Sequence, residues 1–217
     1  MTYSCVEDET GKVVCLIGII SILVCGAVQA YPLAYEDSAF GVFAAYVQEY
    51  DYFKQQMGFN DQGYWDWADA HMRNLGAHWT RSNLQLFWDF IEPAIGGGYN
   101  WNNTFKTDGV VTNVYRSGGD INWLGVFHEG GSKPGHPPAR NPLDYPTEYG
   151  RFVRDAVERY DGDVVNDASP YVKVKWWQVG NEAFGWTNSG RTVEQYCQWV
   201  RMVRQAARSA DPTPKLC

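Results

Sequence analysis

The chain has 217 residues with 18 Lys+Arg against 25 Asp+Glu, a formal net charge of −7, and 45% apolar residues. That composition is globular and excludes a disordered or fibrous chain, and the acidic balance excludes a protein that holds nucleic acid by neutralising phosphates. Aromatic residues are the unusual component, with 10 Trp, 14 Tyr and 10 Phe; at that density they fill a large core or line a surface that stacks flat ligands.

The first segment is Val13 to Val28, VVCLIGIISILVCGAV, with Ser21 its one clearly polar residue. It is shorter than the roughly 20 residues of a spanning helix and reads as the apolar region of a secretory signal. Val28-Gln29-Ala30 places small residues at the −3 and −1 positions of a cleavage site, so residues 1–30 are expected to be a signal peptide cut after Ala30. The alternative is an uncleaved membrane anchor or an over-extended gene start, because Glu7, Asp8 and Glu9 precede Lys12 where positive charge is usual. Cleavage implies a secreted or periplasmic protein with no stable membrane association. It also removes Cys5, Cys15 and Cys25, and the remaining Cys197 and Cys217 predict no structural bridge.

Residues 31–217 alternate between strand and helix character. The first strand candidate is Ala39 to Phe43; a helix carrying Trp65, Ala68, Met72 and Leu75 follows and stops at Gly76. A second strand spans Ala77 to Ser82 and leads into a loop with Phe87, Trp88, Phe90 and Pro93. Turn-rich Ile95 to Asn103 precedes a short helix around Asp108 to Arg116 and a third strand at Ile121 to Phe127. After a Gly/Pro-rich excursion, a helix from about Thr147 presents Phe152, Val153, Ala156, Val157 and Tyr160 on one face. The fourth strand, Val172 to Val179, runs into Gly180-Asn181-Glu182, and a last helix places Tyr196, Trp199, Val200, Val203 and Ala207 on one stripe before Asp211-Pro212.

Strands alternating with helices, without tight hairpin signals, predict an α/β fold with a parallel sheet. Right-handed crossovers leave a doubly wound sheet or a (β/α)8 barrel. The sequence has no GxGxxG, GxxxxGK[ST] or GxSxG motif, which removes the fingerprints of nucleotide-binding and α/β-hydrolase sheets. The strands end instead in Arg81, His128-Glu129 and Asn181-Glu182, and strand C-termini are where barrels handle ligands. The barrel is favoured.

Glu182 is the sharpest chemical candidate. A carboxylic acid at a strand end, after Trp176-Trp177 and among apolar neighbours, has its proton held more tightly by desolvation, as a general acid requires. Asn181 beside it donates and accepts, which suits a sugar hydroxyl. The competing reading is a solvated Glu that opens a loop. His128 is a candidate for a hydroxyl contact and Glu129 for the wall of the cleft. Trp88, Trp101, Trp123 and Trp186 are candidate sugar platforms, and of Trp176 and Trp177 at most one faces the barrel interior. His71, His78, His128 and His136 show no paired ligand spacing, so no metal and no cofactor is expected.

Trp176 to Phe184 resembles the fourth strand of the clan-A, cellulase-like glycoside hydrolases, retaining enzymes built on (β/α)8 barrels. The resemblance covers roughly Phe40 to Cys217. It implies that Glu182 is the acid/base and that Asn181 holds the sugar 2-hydroxyl. Leu75 to Arg81 resembles the second helix-to-strand junction, where Arg81 matches the arginine beneath the nucleophile carboxylate, and Ala210-Asp211-Pro212-Thr213 resembles the lead into the fifth strand. The resemblance further implies an oligo- or polysaccharide substrate, a plant or microbial β-glycan, with Arg81, His128, Trp88 and Trp186 beside it. The nucleophile of that clan ends the seventh strand, whereas this sequence shows about the first four βα units. A complete barrel takes about 250 residues. The expectation is therefore an incomplete barrel, the N-terminal portion of a catalytic domain that lacks its C-terminal half and is inactive alone. The alternative is a non-catalytic carbohydrate-binding protein.

Overall fold

The structure is a computed structural model that describes residues 2–7, 13–18, 41–42, 58, 63, 66–67, 70–71, 74–77, 79–81, 85–102, 108, 122–130, 140–169, 171, 173–181 and 190–216. Two strands, β1 (Thr2–Glu7) and β2 (Val13–Gly18), pair antiparallel. Residues 1, 8–12 and 19–30, the remainder of the expected signal segment, lie outside the described residues. Among the described residues no helix is long and apolar enough to cross a membrane.

The main sheet is parallel throughout. It contains β3 (Gly41–Val42), β4 (Trp79–Thr80), β5 (Gln85–Phe87), β6 (Asn122–His128), β7 (Trp176–Val179) and β8 (Lys215–Leu216). Its order is β3-β4-β6-β7-β8, with β5 pairing the C-terminal half of β6. Strand order therefore follows chain order without reversal. A doubly wound sheet reverses at its switch point, while a barrel adds each strand beside the last. The observed sheet is that of an incomplete barrel. The last described residues begin its fifth βα strand, since Lys215 and Leu216 lie opposite Trp176 and Trp177.

Two helices cover one face. α2 (Pro146–Arg159) starts with Pro at its first position, where the missing N–H costs nothing. Its buried residues Tyr149, Phe152, Val153, Ala156 and Val157 form the expected stripe, and Tyr160 is buried just beyond it. α3 (Val193–Ala210) opens with a reciprocal capping box between Thr192 and Gln195 and buries Trp199, Val203 and Ala207. These stripes meet Trp123, Phe127, Trp177 and Val179 from the sheet to form the core. Phe127 and Trp177 stack at 4.7 Å between centroids.

Three sequence expectations are corrected. The loop after the second strand contains β5 and the short helix α1 (Trp88–Ile91): Leu86, Trp88, Phe90 and Ile91 are buried, and the segment gains its strand pairing from β6, a partner distant in sequence. The fourth strand begins at Trp176: Lys173 to Lys175 lie outside it, and Val174 N–H donates to the Tyr160 carbonyl at 2.7 Å instead of to a neighbouring strand, while Val172 lies outside the described residues. Leu75 is not on a core stripe. It lies in the turn after the helical residues, 63% exposed, with Gly76 at φ +67° closing that turn as expected. Trp65, Ala68 and Met72 lie outside the described residues, as does most of the Asp108–Arg116 helix, of which Asp108 is helical.

Candidate active site

The pleat decides which side chains share a face. Register pairs Trp79 with Asn122, Leu124 with Trp176 and Val126 with Gln178, which places these residues, with Arg81 and His128, on the sheet face opposite the helices. Trp177 packs toward the helices, so Trp176 is the tryptophan of the pair on the interior face. Its ring meets Trp79 edge-on at 5.2 Å, and Lys215 Nζ lies 4.3 Å from its centroid.

At the C-terminal ends of three adjacent strands the polar residues converge. Arg81 follows β4, and its Nε donates to Gln178 Oε1 at 2.9 Å while its second nitrogen donates to Asn181 Oδ1 at 2.5 Å. His128 ends β6 and stacks on Phe87 of β5, with centroids 4.3 Å apart and planes 16° from parallel. Its Nε2 is buried and has no hydrogen-bond partner among the described residues. Burial, and secondly the positive charge of Arg81, lower its pKa to about 4, so it is neutral at pH 7. From below, the Tyr149 hydroxyl donates to the His128 carbonyl at 3.2 Å.

The turn after β7 is set by Gly180. Its φ is +70°, and a Cβ there would lie 2.9 Å from the Trp199 ring, so only glycine fits without displacement. Gly180 N–H donates to the Phe127 carbonyl at 2.8 Å, and Tyr196 donates through its hydroxyl to the Val179 carbonyl at 2.8 Å. β6 and α3 thereby hold the point from which Asn181 leaves the sheet.

The structure thus brings together Arg81, His128 and Asn181. Glu182 and Trp186 lie outside the described residues. Trp88 is placed elsewhere: it is fully buried beneath α2, edge-on to Tyr149 at 5.2 Å, with its Nε1–H donated to Glu92 at 2.7 Å. A ring enclosed on both faces offers no sugar platform, and the same correction applies to Trp123, which is 5% exposed in the core. Trp101 packs against Phe152 and lies under Arg159, again on the helical side. Glu129 pairs with Arg191 at 3.5 Å. Gln178 and Phe87 were not singled out from sequence. Gln178 carried a signal nonetheless, as a polar residue at an interior position of a strand that ends in Asn-Glu.

One acidic group lies away from the site. Asp161, Asp163 and Asp167, in the loop between α2 and β7, bring carboxylate oxygens within 4.8 Å of one another. Loop N–H groups already donate to them, including those of Asp163 to Asp161 and of Val165 to Asp163. This loop sits at the N-terminal end of the strands, opposite Arg81 and His128.

No family model and no curated protein matches the chain. Among solved structures it is similar to a family 39 glycoside hydrolase from the gut symbiont Bacteroides cellulosilyticus WH2, at 20% identity and TM-score 0.49, over 70% of this chain and 28% of that one. It is also similar to a glucosidase from Croceicoccus marinus, at 20% identity and TM-score 0.50, over 68% of this chain and 32% of that one. The second likeness shows the fold alone, and the chain spans less than a third of either solved structure.

Proposed function

We propose that the chain is the N-terminal portion of a retaining β-glycoside hydrolase acting on a plant or microbial β-glycan. One observation carries this reading: Arg81, His128 and Asn181 converge at the C-terminal ends of adjacent parallel strands, and Glu182 follows Asn181 directly. Glu182 then protonates the leaving-group oxygen, and afterwards removes a proton from the water that releases the sugar. Asn181 holds the hydroxyl next to the reacting carbon. His128, neutral and with its Nε2 unclaimed among the described residues, accepts from or donates to a second hydroxyl. Arg81 sits beneath the nucleophile carboxylate and favours its ionised form. That nucleophile lies in the half of the barrel beyond this sequence, so the chain alone is inactive.

Aryl β-glucosides and β-xylosides provide the test. The 217-residue chain is expected to give no turnover. The product of a coding sequence extended beyond Cys217 is expected to hydrolyse them with retained anomeric configuration, an activity lost in Glu182→Gln. Turnover by the 217-residue chain, abolished by the same substitution, would overturn the inactive-portion reading. Glycan binding unaffected by Glu182→Ala, with no turnover by the extended product, would mark a binding protein instead. The proposed export is checked separately, by mass spectrometry of the secreted protein for an N-terminus at Tyr31.

A further inference from the structure

Gln178 makes the two hydrogen bonds that close the polar cluster into a ring. Its Oε1 accepts from Arg81 Nε at 2.9 Å, and its Nε2 donates to the Gly180 carbonyl at 2.6 Å. Arg81 completes the ring through its bond to Asn181. The amide has one possible orientation here. A guanidinium only donates and a carbonyl only accepts, so a flipped amide would set donor against donor and acceptor against acceptor. No other side chain of this length satisfies both partners: glutamate accepts from Arg81 but repels the Gly180 carbonyl, and leucine does neither.

We propose that Gln178 is a positioning residue, a neutral clasp that fixes the Arg81 guanidinium against the Gly180–Asn181 turn and so sets the start of the segment carrying Glu182. Neutrality is the functional part of the choice. A carboxylate at this position would bind the guanidinium more strongly but would also cancel much of its charge. The amide orients Arg81 and leaves its field intact for the carboxylate chemistry of the site. The purpose of the clasp rests on the glycosidase reading; its existence does not.

The clasp is tested without sugar, on the 217-residue chain, by nuclear magnetic resonance of the Arg81 Nε–H group and of the His128 ring. His128 reports because Arg81 acts on it directly. Among the described residues, Phe87 from β5 stacks on His128 and is uncharged, Tyr149 from α2 bonds its carbonyl, Glu129 beside it is paired with Arg191, and Asp89 of α1 lies against Gly130. In Gln178→Leu, Arg81 Nε–H is expected to exchange roughly tenfold faster, and the His128 midpoint to rise from about 4 as the guanidinium moves away. In Gln178→Glu the exchange stays slow while the His128 midpoint rises, because an added negative charge favours imidazolium. Wild-type exchange and a wild-type midpoint in folded Gln178→Leu would overturn the clasp. If that variant does not fold, an unshifted His128 midpoint in Gln178→Glu does so alone. A residue that merely fills the strand would change the melting temperature and neither signal. Failure of the hydrolysis test, by contrast, would leave the clasp standing and remove only its purpose.

Discussion

His128 is buried as a neutral imidazole, and its stability contribution therefore has a definite sign. Its folded pKa, about 4, lies below the ordinary histidine value of about 6.5. The unfolded chain binds the proton first, so stability present above pH 6.5 is lost as pH falls toward 4. Asp161 acts oppositely: burial, and then its acidic neighbours, raise its pKa from 3.8 to about 6, so its contribution grows as pH falls through that value. Urea unfolding between pH 4 and 7 is expected to show a shallower acid slope in His128→Gln and a steeper one in Asp161→Asn. Gly180 gives a second test at this scale. Gly180→Ala combines an αL backbone with a ring contact at 2.9 Å and is expected to lower unfolding stability by about 2 kcal/mol. Its requirement was invisible in sequence, because the ring that excludes a Cβ belongs to Trp199 on the next helix.

Elements differ in how much of their stability is local. α3 carries its own start signal, and the Thr192 hydroxyl accepts from Gln195 N–H at 3.2 Å while Gln195 reaches back to Thr192 N–H at 2.8 Å. Thr192→Ala is expected to cost about 1 kcal/mol in urea unfolding, with the rest of the fold unchanged. The segment after β5 combines local bonds with a long-range ion pair. Glu92 is buried and accepts from Trp88 Nε1 at 2.7 Å and Gly96 N–H at 2.8 Å, and it pairs with Arg151 of α2. Glu92→Ala leaves two of these donors without an acceptor, while the guanidinium, 36% exposed, can turn to water. The expected cost is about 3 kcal/mol, measured in the same way. The two helices were legible from periodicity, and α3 also from its Asp211-Pro212 stop, because such signals lie within a few residues of one another. β5 and α1 were not, since their stabilising partners are β6 and α2.

Across the whole molecule, the sheet sets a gradient of protection. β6 has neighbours on both sides, in β4 and β5 on one and β7 on the other, and carries α2 against its outer face. Among the described strands, β3 and β8 each pair on one side alone. Amide hydrogen exchange is expected to be slowest in Gly125 to Phe127 and in Trp177 to Val179, and fast in Gly41–Val42 and Lys215–Leu216. Uniform protection across all five positions of the sheet path would contradict a core centred on β6 and β7.

The sequence by itself determined the alternation of strand and helix, the apolar stripes of α2 and α3, and the grouping of Arg81, His128 and Asn181 at strand ends. Each follows from residue spacing along the chain. Only the tertiary structure decided that strand order runs without reversal, that Trp176 rather than Trp177 faces inward, and that Trp88 belongs to the core. It also supplied Gln178, whose role consists of bonds to a residue ninety-seven positions away. Periodicity says that a side chain faces one side of its strand. Which side is the cleft depends on what packs against the other, and that is settled when α2 and α3 bury theirs.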